Sequence, residues 1–366
     1  LVNDRCGGVY IYQNSIDDEH SHNLRKIIQE SKYSFVNLES ALTNSISKIK
    51  KAGPSLKANI NNAQLLKELS FTNVNLANNH ICDYGIGGLD ETINTLTQLN
   101  INFNGVRVNG VSRTYSTCEI SNSRIAVFNF CENEFCTINE SNGAELINPI
   151  ENYRAITEKN DVAFKIVVLH GGSEHCALPN PWFRDLCKYY IDIGVDLVIS
   201  HHTHVFSGSE VYKGKTIYYG LGNFVFSNIG AAESWYRGYL VKVNISDNKL
   251  ESAIIPYAQM TKDNFVKILK DDDLIVFMEE YKRLSQIILN EAEYTLFWKK
   301  YTDSKNVDYL ATALGMSRLT RGVFRKFGLR IKKRDEQKKL LRLMNHIYCQ
   351  SHNYNFRAVL KKVIGK

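Results

Sequence analysis

The 366-residue chain has no paired-cysteine motif: Cys6, Cys82, Cys118, Cys131, Cys136, Cys176, Cys187 and Cys349 are scattered, with no CxxC spacing. That speaks against a disulfide framework and fits a reduced, cytoplasmic compartment. No apolar run approaches the roughly 18 residues a membrane helix needs, and the first residues carry no basic-then-apolar leader pattern. Membrane association through partners or through an upstream segment stays open. A phosphate-cradling loop is also lacking. Asp83-Tyr84-Gly85-Ile86-Gly87-Gly88 has the glycines but neither the GxGxxG spacing nor the lysine of a P-loop, and reads as a tight turn. Nor is there a strong charge of one sign. The formal net charge of +7 is modest for this length, attracting anionic partners without establishing nucleic-acid binding.

What is present is an ordinary globular composition, 44% hydrophobic and 23% charged, long enough for one large domain and an appendage. We expect a domain over residues 1–260 and a helical, basic region over 261–366. Leu1 to Gly8 opens without a complete strand before its polar residues, so an N-terminal strand is expected upstream. Apolar spacing predicts a helix over His20–Glu30 and strands over Tyr33–Glu39, Phe71–His80 and Arg124–Phe130. A helix is predicted through Leu89, Ile93, Leu96 and Leu99, and Cys131 to about Asn160 reads as a loop-rich insertion. Lys165–His170, a helix through Trp182–Ile193 and Val195–Ser200 then complete a β-α-β alternation. Gly238–Val243 alternates as an antiparallel strand does. Beyond Met260, Leu274, Ile275, Met278, Tyr281, Leu284 and Ile288 form a helical stripe, and Arg318–Arg342 is dense in Arg and Lys. That stretch suits an anionic polymer, nucleic acid or membrane surface, or simply a solvated helix face.

The chemistry gathers at strand ends. Glu39, Asn79-His80, His170 and the pair His202 and His204 each follow an apolar run, the pattern of parallel strands delivering side chains at their carboxyl edge. One such placement is ordinary. Four, in the order carboxylate, amide, imidazole and imidazole pair, point to a metal site, since imidazole binds zinc, manganese, iron and nickel. A carboxylate can bridge two cations, and two cations clamp a phosphate-like group and activate water near neutral pH. His80, next to a ligand, can protonate a leaving group or stabilise developing charge. Asp83 either orients that imidazole or simply forms the turn.

Together these residues resemble the capsule-synthesis protein CapA family, within the calcineurin-like metallophosphoesterase superfamily, over roughly residues 1–257. Asn37-Leu38-Glu39 resembles the family's NLE, Ala77–Gly85 its ANNHxxDxG, and His170-Gly171-Gly172-Ser173-Glu174 its HxGxE. Ser200–Val205 is similar to GHHPHV, with Ser200 for Gly and Thr203 for Pro, and Tyr219–Phe226 to YxLGNFxF. The resemblance implies an α/β metallophosphoesterase-like sandwich of mixed β-sheets flanked by helices, followed by a mainly α-helical C-terminal region. It implies two divalent metal ions, manganese, zinc or iron. Glu39 bridges them, Asn79, His170 and His202 complete one site, and His204 belongs to the other. Asn37, Glu174 and Asn223 fall on the substrate side. The family's Gly-Asp, with an Arg five residues after the Asp, fits here if Gly-Asp immediately precedes Leu1, which makes Arg5 the matching substrate residue.

The implied activity is hydrolysis of a phosphoester on a sugar or polymer precursor in bacterial capsule or surface-polysaccharide synthesis. Two alternatives stand beside it: a poly-γ-glutamate-type amide-bond or polymer-transfer enzyme, and a non-catalytic polymer-binding subunit of a capsule-assembly complex. The partners expected are an anionic polymer or phosphorylated sugar and capsule-assembly proteins. Nucleic acid is disfavoured, because the basic and aromatic residues follow helical core spacing at least as well as a base-stacking pattern.

Overall fold

A computed structural model describes residues 19–226, 231–259 and 266–313, with isolated helical positions at 341, 343 and 345. Arg5 and, apart from Leu341, the basic stretch Arg318–Arg342 lie outside the described residues. The chain divides into two compact units, Leu1–Asn290 and Glu291–Lys366.

Among the described residues, the first element of the first unit is helix α1 (Glu19–Gln29), which buries Leu24 and Ile28. Strand β1 (Phe35–Asn37), helix α2 (Ala63–Glu68), strand β2 (Asn73–Asn75), helix α3 (Gly85–Gln98) and strand β3 (Asn102–Asn104) then build a three-stranded parallel sheet in sequence order. Parallel strands need such crossovers. Of the glycine-rich segment read as a turn, Asp83 and Tyr84 lie in a turn and residues 85–88 form the first turn of α3. At Gly88 a side chain would come within 2.7 Å of the Tyr84 Cβ and 3.6 Å of the Ala41 Cβ, so the glycine brings the helix close to the Ala41–Leu42 strand.

A second, six-stranded sheet follows. Its strands are β4 (Tyr115–Ile120), β5 (Ser123–Cys131), β6 (Phe164–His170), β7 (Leu197–His201), β8 (Ser209–Tyr212) and β9 (Lys215–Tyr218), in the order β8-β9-β7-β6-β5-β4. The central four are parallel, and the edge strands β8 and β4 run antiparallel to their neighbours. Helix α5 (Pro181–Asp192), capped by the Asn180 side chain, carries the chain from β6 to β7. Strand β6 is buried on both faces at Val167, Val168 and Leu169, as its unbroken apolar run requires. The two sheets are tied by Asn104 Nδ2 donating to the Val127 carbonyl at 2.9 Å and by Tyr33 Oη 2.6 Å from Ser116 Oγ.

The region from Cys131 to Asn160 corrects the loop reading. It holds two three-residue strands, Thr137–Asn139 and Asn142–Ala144, and helix α4 (Pro149–Thr157). The strands are too short to show alternation. The helix start was marked by Asn148-Pro149, where the asparagine accepts from the Ile150 and Glu151 amides and the proline takes the first helical position.

A third sheet pairs β10 (Arg237–Ser246) antiparallel with β11 (Lys249–Gln259), as the alternation predicted, and adds β12 (Val266–Ile268). Helix α6 (Asp271–Leu289) buries Phe277, Leu284 and Ile288 and packs beside β8. Phe277 stacks on Phe206 at 4.3 Å, and Tyr281 Oη donates to Ser209 Oγ at 2.6 Å. In the second unit, helix α7 (Glu291–Ala313) groups Phe297, Trp298 and Tyr301 into an aromatic cluster of its own. No helix among the described residues is long and apolar enough to cross a membrane.

Phe277 has no exposed surface and is the aromatic anchor of α6. Phe277→Ala is expected to cost ~3–5 kcal/mol, read as a lower urea midpoint with an unchanged slope, because a truncated buried ring leaves a cavity.

Candidate metal centre

The carboxyl edges of both principal sheets meet at one place. In the first sheet Asn37, Asn75 and Asn104 stand in register across β1, β2 and β3. In the second, His170 of β6 lies opposite His201 of β7 and Cys131 of β5. Glu39 follows β1, Asn79 and His80 follow β2, and His202 and His204 follow β7. Parallel strands therefore deliver all of these residues to the same edge.

Glu39 Oε1 lies 3.5 Å from His170 Nε2 and 3.6 Å from His204 Nε2. This oxygen is buried and has no hydrogen-bond partner. His170 Nε2 also lies 3.0 Å from Asn79 Oδ1 and 3.2 Å from His202 Nδ1. Single ligand atoms of Glu39, His170 and His202 all fall within 4.8 Å of one another. A carboxylate, an amide oxygen and three imidazoles thus converge.

The backbone is bent to do this. His202 and His204 have φ of 95° and 58°, in the left-handed region that side chains of this size rarely enter. Each costs on the order of 1–3 kcal/mol, a cost that clusters at functional sites. Gly222 (φ 80°) cannot carry a side chain, since a Cβ there would lie 2.5 Å from the Arg237 carbonyl oxygen.

Several partners hold the rings. Asn37 Nδ2 lies 3.4 Å from His170 Nδ1, while Asn37 Oδ1 accepts from Asn75 Nδ2 at 2.9 Å. Asn223 Oδ1 lies 3.0 Å from His204 Nδ1, and its Nδ2 donates to the carbonyls of His204 and Trp235. Asn37 and Asn223, expected at the substrate, are thus engaged in orienting the two imidazoles. Trp235 stacks on the His204 ring at 4.9 Å, with Phe226 at 5.3 Å, giving that side of the site an apolar wall. Glu174 is exposed, and its ligand atom falls in a second group with those of Glu134 and His202.

Behind Asn79, His80 and Asp83 form a buried pair, with His80 Nδ1 2.7 Å from Asp83 Oδ2. Asp83 Oδ2 also accepts from the Leu56 amide, and Lys51 Nζ donates to Asp83 Oδ1 at 2.7 Å.

Three residues went unmarked in the sequence. Glu134 Oε2 accepts from Asn79 Nδ2 at 3.0 Å, and Glu132 Oε1 accepts from the Gly172 amide at 2.9 Å. Both follow the end of β5, so the strand-end rule that found Glu39 would have found them. Lys51 had no such signal.

Burial governs the charges. Burial alone would raise the Glu39 pKa, yet the imidazoles of His170 and His204 hold it well below the usual carboxylate range. Burial, reinforced by the neighbouring His170, lowers His202 to about 3. His202 is therefore neutral and able to ligate across the physiological range.

Placed beside known proteins, a mixed α/β protein with this strand-edge cluster falls among capsule-synthesis proteins. The family model described as bacterial capsule synthesis protein PGA_cap matches residues 11–228, more than half of the chain, and the chain belongs to that family. It is 30% identical over 188 residues to the PGA biosynthesis protein CapA of Bacillus subtilis (strain 168), covering 50% of this chain and 48% of that protein. It is 30% identical over 205 residues to the capsule biosynthesis protein CapA of Bacillus anthracis, covering 53% and 49%. The chain spans about half the length of these curated relatives. Among solved structures, a novel phosphatase from Mycoplasma pneumoniae aligns with a TM-score of 0.38 at 14% identity, covering 71% of this chain and 93% of that one.

The His202 shift fixes the sign of a pH dependence. Below the ordinary value near 6.5, the unfolded chain binds a proton that the folded protein refuses until about pH 3, so stability falls as pH falls across that window. In metal-free His202→Asn, the slope of unfolding free energy against pH between pH 6 and 5 is expected to be shallower by about 1 kcal/mol per pH unit, measured by urea titrations.

Proposed function

We propose that this chain is a metal-dependent phosphoester hydrolase of the metallophosphoesterase type, acting on a phosphorylated sugar or polymer precursor in bacterial surface-polymer synthesis. The observation that carries the reading is the Glu39 carboxylate. Its buried Oε1 has no hydrogen-bond partner and lies between the Nε2 atoms of His170 and His204. An ionised oxygen withdrawn from water and left without a donor needs a positive partner. Facing imidazole nitrogens and an amide oxygen make divalent manganese, zinc or iron a fitting one.

Glu39, Asn79, His170, His202 and His204 are the residues that would hold such ions. When bound, divalent ions polarise a phosphoryl oxygen and lower the pKa of water. The chain's own groups supply the rest. His80, held at Nδ1 by Asp83, keeps Nε2 for a proton passed to the leaving oxygen. Asn37 and Asn223 fix the planes of His170 and His204, so ligand geometry does not depend on mobile side chains. Trp235 and Phe226 exclude water beside His204 and strengthen the local field. Glu174, exposed beside His202, stands where an arriving substrate would pass.

Membership of the capsule-synthesis family supports the setting, and the names of the Bacillus relatives support a surface polymer as the product served. Purified protein loaded with manganese or zinc is expected to retain at least one ion per chain by elemental analysis and to hydrolyse bis(p-nitrophenyl) phosphate. His202→Ala should lose turnover by more than ~100-fold, beyond the cost typical of an outer-sphere partner. Failure to bind either metal at micromolar concentration would overturn the hydrolase and favour a polymer-binding subunit.

A further inference from the structure

Lysine is rarely buried, and Lys51 is: its side chain is only 4% exposed. It lies in Lys48-Ile49-Lys50-Lys51, whose other two lysines are exposed, on the irregular segment that leads to the Lys57–Ala58 strand. Its ammonium is spent on one turn of chain. Nζ donates to Asp83 Oδ1 at 2.7 Å and to the Asn79 carbonyl at 3.3 Å, and lies 3.3 Å from His80 Nδ1. The same segment is laced to Asp83 twice more, by the Ile49 amide on the Asp83 carbonyl and by the Leu56 amide on Oδ2.

From this geometry, and resting on the hydrolase reading above, we propose that Lys51 is a positioning residue for departure of the leaving group. One donor holds the backbone at Asn79 and another holds the carboxylate at Asp83, so the two ends of the turn that carries His80 are fixed to a single cation. By taking Oδ1, Lys51 leaves Oδ2 to the Leu56 amide and His80, and the contact with His80 sets the plane of the imidazole and hence the direction of its Nε2. It also offsets the charge of a fully buried carboxylate, whose field would otherwise oppose an incoming phosphate. Lys51 touches neither the metal-ligating side-chain atoms nor the site's open face among its observed contacts, so it acts through His80 and Asp83.

The role has a signature that loss of fold does not share. A proton donated to the leaving oxygen matters most when that oxygen leaves poorly, so turnover should be compared for a p-nitrophenyl and an unsubstituted phenyl phosphodiester. Lys51→Met is expected to lose about 100-fold in kcat on the phenyl ester and less than about 10-fold on the nitrophenyl ester, in line with the contribution of general acid catalysis. KM and metal content should stay near wild type. In Lys51→Ala, ethylammonium is expected to restore turnover of the phenyl ester; if that variant does not fold, the methionine variant carries the test alone. In metal-free protein, a long-range proton–nitrogen spectrum should show the His80 Nδ1 proton in wild type and its loss in Lys51→Met.

An equal loss on both esters, or a loss that follows metal content, overturns the positioning role and leaves the hydrolase standing. A wild-type protein that binds metal but turns over neither ester overturns the hydrolase reading and, with it, the step Lys51 serves.

Discussion

A carboxylate withdrawn from water and surrounded by imidazoles is the constraint around which this structure is arranged. Glu39 follows a strand of one sheet, while His170 ends and His204 follows strands of the other, and both imidazoles lie 3.5–3.6 Å from the Glu39 carboxylate. An isolated buried carboxylate is costly. Its low pKa is the electrostatic expression of the same arrangement, with nearby imidazoles overcoming the effect of burial. The fold must therefore hold two sheet edges in fixed relation, and it does so with polar struts. Asn104 reaches from the first sheet to the Val127 carbonyl in the second, and Asn75 braces Asn37, which faces His170. These contacts define the mutual placement of the sheets as well as hold them.

Register carries the rest. Asn37, Asn75 and Asn104 are opposite one another, as are His170 and His201, so a slip of one residue would send these side chains to the wrong face. His202 and His204, two positions apart in a bend, leave the strand in left-handed conformations that bring both rings to one edge. The strain is affordable only because Asn223 and Trp235 grip His204 from the far side.

What was legible in the sequence was what obeys periodicity. The apolar runs ending at His170 and before His202 announced parallel strands and their edge, and β10 announced its antiparallel partner by alternation. Glu39 was legible at a strand end and through its resemblance to a family motif. Glu132 and Glu134 were equally placed after β5, but Cys131-Glu132-Asn133-Glu134-Phe135-Cys136 has the look of a polar loop, and the strands beyond it are three residues long. Lys51 was illegible for a different reason: among Lys48, Lys50 and Lys51, nothing local says which ammonium will be covered. Only the tertiary return of Asp83 to this segment decides it.

Gly222 of Leu221-Gly222-Asn223, with Gly238 opposite it, shows how easily a motif can be assigned the wrong physics. A glycine beside a metal centre suggests room for a ligand, yet the space at Gly222 is filled by the chain itself. A Cβ there would meet the Arg237 carbonyl at 2.5 Å, and one at Gly238 would meet the Leu221 carbonyl at 2.6 Å. Two backbone segments approach from opposite sides and are closed by the Tyr239 amide on the Leu221 carbonyl. That contact brings the third sheet against the site and sets Trp235 over His204. The glycines are thus packing devices, the asparagine after Gly222 holds a ring, and the donor atoms all come from other strands. Fold and chemistry share this motif without sharing residues, which is why a site of this kind is read more safely from its donors than from its glycines.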